Sequence, residues 1–235
     1  MDTSRIAAIS FDLDDTLWPF LPCLQRAEGV LMQWLIEHAP ATAPVLHSPV
    51  ALRPYRDKAV DAHPHLKHDL SELRRMAIRA LLDEVGEDVA LAEAAFDVFF
   101  AERLRVELYT DVLPALARLS QRYPLVALTN GNACIHKAGL TAYFKGSLSP
   151  GTLGAAKPDA AAFQAAASLV GVGPSQLLHV GDDWALDVVG ALNAGAQAAW
   201  LVRHPQEAKA PTPDEQHLII RDVTSLCDLL GCPAP

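Results

Sequence analysis

The sequence contains no apolar run that approaches the length needed to span a lipid bilayer. A secretory signal is also not recognisable, because the first apolar run is short and is interrupted by Asp12. We therefore expect no membrane partner, and we expect the protein to reside in the cytoplasm.

The sequence is also poor in cysteine and in basic residues. Its four cysteines include no C-x-x-C pair, which argues against a zinc site or a disulfide framework and is typical of a reducing compartment. The 19 Lys and Arg residues against 28 Asp and Glu residues give a net charge of −9. Nucleic acids are therefore not expected partners, because binding phosphates requires clustered basic side chains. An anionic small substrate would need locally placed positive charge.

The 235 residues, 51% of them hydrophobic, suffice for one sizeable core and a smaller appended unit. After Trp18, apolar residues recur at helical spacing to about Leu108. This spacing predicts helices over 22–37, 69–85 and 90–107. The prolines between the first two helices predict a loop or very short helices.

Outside this segment, strand and helix patterns alternate, as in a parallel sheet with crossover helices. Strands are predicted over 6–11, 124–129, 146–149, 176–180, 198–202 and 218–220. Helices are predicted over 159–170 and from Thr224, and 204–216 is predicted to be an exposed loop. We predict an α/β fold, a doubly wound, Rossmann-like parallel sheet core with an inserted helical cap domain. The core domain comprises 1–17 and 109–235, and the helical domain 18–108.

Three carboxylates, Asp12, Asp14 and Asp15, directly follow the first predicted strand. Ligands of open α/β sheets bind at the carboxyl ends of the strands. Crowded carboxylates raise each other's pKa and need a compensating cation, for which a divalent, oxygen-binding metal is the best candidate. The alternative is an acidic turn that caps the following helix.

Further polar residues follow the later strands, so that parallel pairing would bring all of them to one edge of the sheet. They are Thr129, Asn130, Gly131, Lys157, Asp182, Asp183 and Asp187. A carboxylate can attack phosphorus, and a second carboxylic acid can protonate the leaving alkoxide. A threonine hydroxyl, the N–H groups of a tight Asn-Gly turn and a lysine can hold phosphoryl oxygens, while Asp182 can complete an oxygen shell around Mg²⁺.

These motifs, in this order, resemble those of the haloacid dehalogenase-like hydrolase superfamily. The matching residues are Asp12, Asp14 and Thr16 of D-x-D-x-T, the strand-end Thr129, the Lys157 that precedes Pro158, and Gly181, Asp182 and Asp187 of G-D-x-x-x-x-D. The resemblance spans almost the whole chain, since the helical insert lies where this superfamily places one type of cap domain.

The resemblance implies a phosphatase with Mg²⁺ as its cofactor. Asp12 would be the nucleophile and Asp14 the general acid and base. Thr129, Asn130 and Lys157 would bind the phosphoryl group. The metal would be held by the Asp12 carboxylate, the Asp14 backbone carbonyl and Asp182, and Asp183 and Asp187 would orient waters or Lys157 from behind these ligands.

Asp14 separates the reactions of the superfamily. Related dehalogenases have no aspartate there and need no metal, because a leaving halide needs no proton, so a metal-independent 2-haloacid dehalogenase is the less favoured alternative. A phosphomutase, which would keep both aspartates, stays open, as does a non-catalytic phosphate-binding relative. We expect a small phosphorylated metabolite as the substrate.

The segment from His68 to Arg75, together with 178–183, resembles bacterial phosphatases that act on flavin mononucleotide and on the phosphorylated ribitylaminouracil precursor of riboflavin. This resemblance makes His68, Asp69 and Arg74 candidate specificity residues. Trp18 is a further candidate, because its ring could stack on a planar substrate ring. Two alternatives stay open: His68 and Asp69 cap the second predicted helix, and Trp18 only packs at the start of the insert.

Overall fold

The computed structural model describes residues 2–66, 68–203 and 217–233, and the predicted loop 204–216 lies outside them. Two compact units are distinguished, one comprising Met1–Pro19 and Glu107–Pro235 and the other Phe20–Val106. The assignment of residues 1–17 with 109–235 and of 18–108 to separate domains stays a prediction. Within the described ranges, no helix is long and apolar enough to cross a membrane.

The unit Phe20–Val106 is helical. Its four α-helices are α1 Phe20–His38, α2 Arg53–Ala62, α3 Leu70–Glu84 and α4 Leu91–Arg103. Three of them lie close to the predicted ranges. They bury the stripe of apolar residues that predicted them, including Leu31, Leu35, Ile78, Leu81 and Phe96.

Helix α2 corrects one prediction, since the prolines between the first two predicted helices indicated a loop or very short helices there. Pro54 lies in the first turn of α2, where a missing backbone N–H costs no hydrogen bond. Three other prolines of this stretch begin short 3₁₀ helices, at Pro40–Thr42, Pro49–Leu52 and Pro64–Leu66, whereas Pro44 lies in a turn. Here proline marks where helices start.

The second unit contains one six-stranded β-sheet and several helices. Its strands are β1 Ala8–Phe11, β2 Leu125–Leu128, β3 Phe144–Leu148, β4 Leu177–Gly181, β5 Gln197–Leu201 and β6 His217–Ile220. All neighbouring strands are parallel, and their order is β3-β2-β1-β4-β5-β6. This confirms the predicted Rossmann-like α/β fold and places the first strand near the middle of the sheet.

The central strands are short, apolar and buried on both faces: every residue of β1, β2 and β4 is buried. This is the pattern of parallel strands covered by helices. The edge strand β3 instead alternates between more and less buried residues.

The helices of this unit are α5 Val112–Leu119, α6 Pro150–Leu153, α7 Ala160–Leu169, α8 Gly190–Asn193 and α9 Val223–Leu229. A π-helical segment, Trp184–Val189, directly follows the turn after β4. Such segments are rare and often occur at functional sites, and this one carries Asp187.

Candidate active site

Asp12 follows the last residue of β1, and its exposed fraction is only 8%. Its backbone N–H donates to the carbonyl oxygen of Val180 at 2.9 Å, which continues the pairing of β1 with β4 by one residue. Because side chains alternate along a strand, Asp12 lies on the same face as Ser10. The carboxylate is thus held at the carboxyl end of a central strand.

Lys157 lies directly against this carboxylate. Its Nζ is 2.5 Å from Oδ1 of Asp12 and 2.6 Å from Oδ1 of Asp187. Burial alone would lower the pKa of Lys157, but the two carboxylates outweigh it and raise the pKa. The ammonium group therefore stays charged, and since it has three N–H donors, it can serve one more acceptor.

Asn130 fixes the backbone of Lys157. Its amide nitrogen donates to the Lys157 carbonyl oxygen at 2.7 Å, and its amide oxygen accepts from the Lys157 N–H at 2.8 Å. The Asn130 side chain therefore positions the lysine, so the phosphate contact predicted for Asn130 would fall to its backbone N–H.

Asp187 accepts from three donors. Oδ1 accepts from Lys157 Nζ and from His179 Nε2, at 2.6 and 3.0 Å, and Oδ2 accepts from the Asp183 N–H at 3.0 Å. Although burial acts to raise its pKa, Lys157 and His179 hold it well below the ordinary value. Asp187 is therefore ionised, and its oxygens are occupied by these donors; its role in orienting Lys157 stays a prediction.

Asp182 completes an acidic cluster. One carboxylate oxygen from each of Asp12, Asp182 and Asp187 lies within 4.8 Å of the other two. Thr16 donates to Oδ1 of Asp182 at 3.0 Å, and the indole N–H of Trp200 donates to its backbone carbonyl at 2.8 Å. The side chain and the backbone of Asp182 are thus both fixed.

The electrostatics of this cluster fit a divalent cation. Burial, with a contribution from Asp187, raises the pKa of Asp182 to about 7. Burial also raises the pKa of Asp12 well above its ordinary value, although Lys157 acts in the opposite direction. Two buried carboxylates whose ionised forms are disfavoured need more positive charge nearby, and carboxylate oxygens are the ligands that Mg²⁺ prefers.

Asp14 is half-buried beside the Asn-Gly turn. The indole N–H of Trp18 donates to its Oδ1 at 2.8 Å. A methyl group added to Gly131 would lie 3.0 Å from Oδ2 of Asp14 and 3.4 Å from Oγ1 of Thr129, so these groups converge on the Asn-Gly turn. Thr129 is buried, and its hydroxyl oxygen accepts from the Gly131 N–H at 3.0 Å.

Trp18 and Asp183 have other contacts than those predicted. Trp18 has no exposed surface, so its hydrogen bond to Asp14 favours a positioning role over stacking on a substrate. The Asp183 side chain accepts from the N–H groups of Ala185 and Leu186, both at 2.8 Å, and so begins the π-helical segment.

The remaining predicted specificity residues lie in the helical unit. Asp69 accepts from the N–H of Glu72 at 2.9 Å and caps α3, as one of the two alternatives expected. Arg74 is buried, with its guanidinium 3.9 Å from the ring centroid of Phe99 and 3.4 Å from Glu28. His68 lies exposed in the turn before Asp69. Their roles in specificity stay predictions.

Residues that sequence reasoning did not place at the site include His179, Ser10, Trp200 and Arg203. Arg203 donates to the carbonyl oxygen of Thr16 at 2.7 Å and pairs with Asp111 at 3.0 Å. Its only signal in the sequence is its place shortly after a predicted strand. His179 precedes the G-D motif by two residues, and its position within an apolar predicted strand is equally typical of a core histidine.

Comparisons with known proteins agree with this geometry. The family model of haloacid dehalogenase-like hydrolases matches residues 6–195. The 5-amino-6-(5-phospho-D-ribitylamino)uracil phosphatase YigB of Escherichia coli K12 is 34% identical, over 96% of this chain and 97% of its own length. A phosphoserine phosphatase of Thermus thermophilus is 34% identical over 64% of this chain and 63% of its own.

A solved structure of a 2-haloacid dehalogenase from Pseudomonas syringae pv. Tomato DC3000 has a TM-score of 0.87 and 36% identity, over 96% of this chain and 98% of that one. The matching motifs, the parallel sheet and the family model all lead to the same assignment. This chain belongs to the haloacid dehalogenase-like hydrolase family.

Proposed function

We propose that this chain is a Mg²⁺-dependent phosphatase that hydrolyses a small phosphorylated metabolite through an aspartyl-phosphate on Asp12. Phosphatases are among its relatives, and the chain is a phosphoric monoester hydrolase of their family. The observation that carries the finer proposal is the ammonium group of Lys157, 2.5 Å from Asp12 in an otherwise acidic cluster. A phosphate dianion can approach a carboxylate only where such positive charge is already in place.

The proposed reaction has two displacements. In the first, a carboxylate oxygen of Asp12 attacks phosphorus, the bond from phosphorus to the leaving oxygen breaks, and Asp14 gives its proton to that oxygen. In the second, Asp14 takes a proton from water as the water oxygen attacks phosphorus, and the Asp12 carboxylate is released. The Trp18 N–H holds the Asp14 carboxyl group in one orientation for both steps.

The phosphoryl oxygens gain negative charge that the chain must neutralise. Lys157, the Thr129 hydroxyl and the backbone N–H of Asn130 donate to them, while the Gly131 N–H donates to the Thr129 hydroxyl oxygen at 3.0 Å and orients that hydroxyl. Mg²⁺, held by the carboxylates of Asp12 and Asp182 and by the backbone carbonyl of Asp14, would stabilise the same charge as a Lewis acid. Asp187 keeps Lys157 in place and is not needed as a ligand.

The substrate we propose is a riboflavin precursor of the kind named for YigB, or flavin mononucleotide. The support is the 34% identity to that phosphatase over nearly the full length of both chains. We assign the helical unit Phe20–Val106 the role of the cap domain, because it is inserted between the first and second strands of the sheet. The four free cysteines are consistent with a cytoplasmic enzyme.

The test is hydrolysis of p-nitrophenyl phosphate and of a panel of phosphorylated metabolites, with Mg²⁺ and with excess chelator. We expect activity that chelator abolishes and Mg²⁺ restores, and faster turnover of the ribitylaminouracil phosphate or flavin mononucleotide than of pyridoxal phosphate or hexose phosphates. Asp14→Asn should lower kcat on these alkyl phosphates by about 10²- to 10⁴-fold. Full turnover by that variant would contradict the assignment of Asp14.

A metal-independent 2-haloacid dehalogenase is the second candidate, favoured by the description of the solved structure with a TM-score of 0.87. The presence of Asp14 argues against it, since a departing halide needs no proton. Halide release from a 2-haloacid in the presence of chelator would support the dehalogenase. Failure to hydrolyse any phosphate ester, without halide release, would support the non-catalytic phosphate-binding relative. Transfer of the phosphoryl group to a second hydroxyl of the substrate would instead support a phosphomutase.

A further inference from the structure

A buried chain of hydrogen bonds extends from the proposed nucleophile into the middle of the sheet. Ser10 Oγ lies 2.8 Å from Nδ1 of His179, whose Nε2 lies 3.0 Å from Oδ1 of Asp187. The same Asp187 oxygen is 2.6 Å from Lys157 Nζ, which is 2.5 Å from Asp12. Five side chains therefore form one connected series, and His179 has no role in the chemistry described so far.

The pairing of two strands builds this series. Ser10 of β1 and His179 of β4 are direct neighbours in the register, and Asp12 is the next residue on the same face of β1. On β4 the corresponding position is Gly181, where a side chain would collide with Asp187: an added Cβ would lie 2.2 Å from its Cγ. The glycine therefore lets the Asp187 carboxylate lie over the strand end, between His179 and Lys157.

The direction of the hydrogen bonds follows from the donors available. The ionised Asp187 only accepts, so Nε2 of His179 carries the proton and donates to it. The Ser10 hydroxyl can donate to Nδ1, which then needs no proton of its own. This assigns the Nε2–H tautomer, held from its other side by Ser10.

We propose that His179 is a positioning residue for phosphoryl transfer: it holds Asp187 in the orientation that keeps the Lys157 ammonium against Asp12. This inference rests on the proposed function of Asp12 and Lys157. Among the residues that the structure describes, Asp187 has one other donor besides Lys157 and His179, the N–H of Asp183 on its opposite oxygen. Without His179 the Oδ1 atom is held by Lys157 alone, so the carboxylate and the ammonium can move together away from the phosphoryl group.

The test compares three substitutions of His179. Phe keeps a ring in the same packing environment, next to Phe163 at 5.1 Å, but makes neither hydrogen bond. Gln can place an amide N–H near the position of Nε2 and reach Asp187, whereas Asn reaches only toward the position of Nδ1 and Ser10. Each variant is assayed for kcat and KM with the same Mg²⁺ and phosphate ester, and for its unfolding temperature.

The expected result is a loss of about 10- to 100-fold in kcat for His179→Phe and His179→Asn, the range found for residues that orient functional groups from behind them. KM should change less than kcat, because the other substrate contacts are intact and the Lys157 contact contributes most where negative charge develops in the transition state. His179→Gln should recover kcat to within a few-fold of the wild type. The matched control is Phe163→Leu, which loosens packing around the imidazole but leaves both hydrogen bonds, and it should lower the unfolding temperature while keeping kcat.

Three results would overturn the inference alone while the wild type is active: unchanged kcat in His179→Phe, equal recovery by Asn and Gln, or a comparable loss of kcat in Phe163→Leu. If His179→Phe does not fold, the comparison of Gln with Asn still decides. Absence of Mg²⁺-dependent hydrolysis by the wild-type chain would overturn the proposed function and this inference together.

Discussion

Both units bury charged side chains, but the compensation differs between them. In the α/β unit, the Lys157 ammonium faces Asp12 and Asp187, with Asp182 close by, so carboxylates outnumber the one cation. In the helical unit, the guanidinium groups of Arg74 and Arg103 lie over the rings of Phe99 and Phe20, at 3.9 and 5.1 Å.

The comparison separates two uses of a buried charge. Burial lowers the pKa of Arg74 to about 10, but Glu28 at 3.4 Å acts in the opposite direction, so the guanidinium stays charged at neutral pH while it packs on the Phe99 ring. The cluster at the sheet edge leaves the pKa of Asp12 and Asp182 raised by burial. Buried carboxylates without enough positive charge nearby lower the stability of the fold. Such clusters are typical of functional sites, because a bound ligand supplies the missing positive charge.

The largest expected effect is in Asp12→Asn. Removing the nucleophile should lower kcat by at least about 10⁴-fold. The unfolding temperature should not fall, because the amide keeps the shape of the side chain and removes one of the crowded carboxylates. Phosphatase assays and thermal unfolding by circular dichroism measure the two effects. A large decrease in unfolding temperature would mean that this carboxylate stabilises the fold, and the contrast with the helical unit would then disappear.

Gly181→Ala should come next. Its Cβ would lie 2.2 Å from Cγ of Asp187, so the carboxylate must move away from Lys157 and His179. We expect a loss of kcat of about 100-fold and a decrease of about 1–3 kcal/mol in the free energy of unfolding. Denaturant unfolding and kinetics test this together. The matched control is Gly151→Ala, where an added Cβ meets no atom within 4 Å, and an equal loss of kcat there would exclude the steric explanation.

Asp69 distinguishes a capping role from a substrate contact in the helical unit. Its carboxylate accepts from the Glu72 N–H at 2.9 Å, so Asp69→Ala should lower the free energy of unfolding by about 1 kcal/mol. Asp69→Ser retains a capping oxygen and should restore most of that loss. If Asp69 also contacts the substrate, both variants should raise KM for the preferred substrate. If KM is unchanged in both variants, the role of Asp69 is to cap α3.

The smallest effect is expected for Glu93→Gln. Glu93 accepts from Arg75 and Arg79 at 3.0 and 2.5 Å, but its side chain is 56% exposed. Exposed ion pairs contribute little, so the free energy of unfolding should change by at most about 0.5 kcal/mol. Denaturant titration at low and at high salt checks this prediction. A change above about 2 kcal/mol would show that the surface charges of the helical unit matter as much as its buried ones.

Much of the fold was predictable, because its signals are local. Short, mostly apolar runs identified β1, β2, β4 and β5, and helical spacing identified α1, α3 and α4. The edge strand β3 contains Lys145 and Ser147, and its predicted range, 146–149, is shifted from the observed Phe144–Leu148. Helix α2 could not be predicted from helical spacing, because the sequence around Pro54 looks the same whether the proline breaks a helix or begins one.

The site was predictable as a set of strand ends, and the structure brings Asp12, Lys157 and Asp182 together as expected. The contacts that fix these groups were not predictable, because they depend on strand register and side-chain direction. Ser10 and His179 are 169 residues apart in the sequence, and only their pairing in adjacent strands makes them neighbours. Trp18 similarly looked like an aromatic ring for stacking, since its N–H bond to Asp14 depends on the turn between them.

The position of β1 between β2 and β4 has a consequence for synthesis on the ribosome. Both neighbours of this N-terminal strand are encoded far downstream, and the second ends only at Gly181. A nascent chain that stops before Lys157 would have to enclose Asp12 without its counter-ion, so the sheet can close only after most of the polypeptide has emerged. The helical unit is one uninterrupted stretch with its own apolar cluster, and it can form in the meantime.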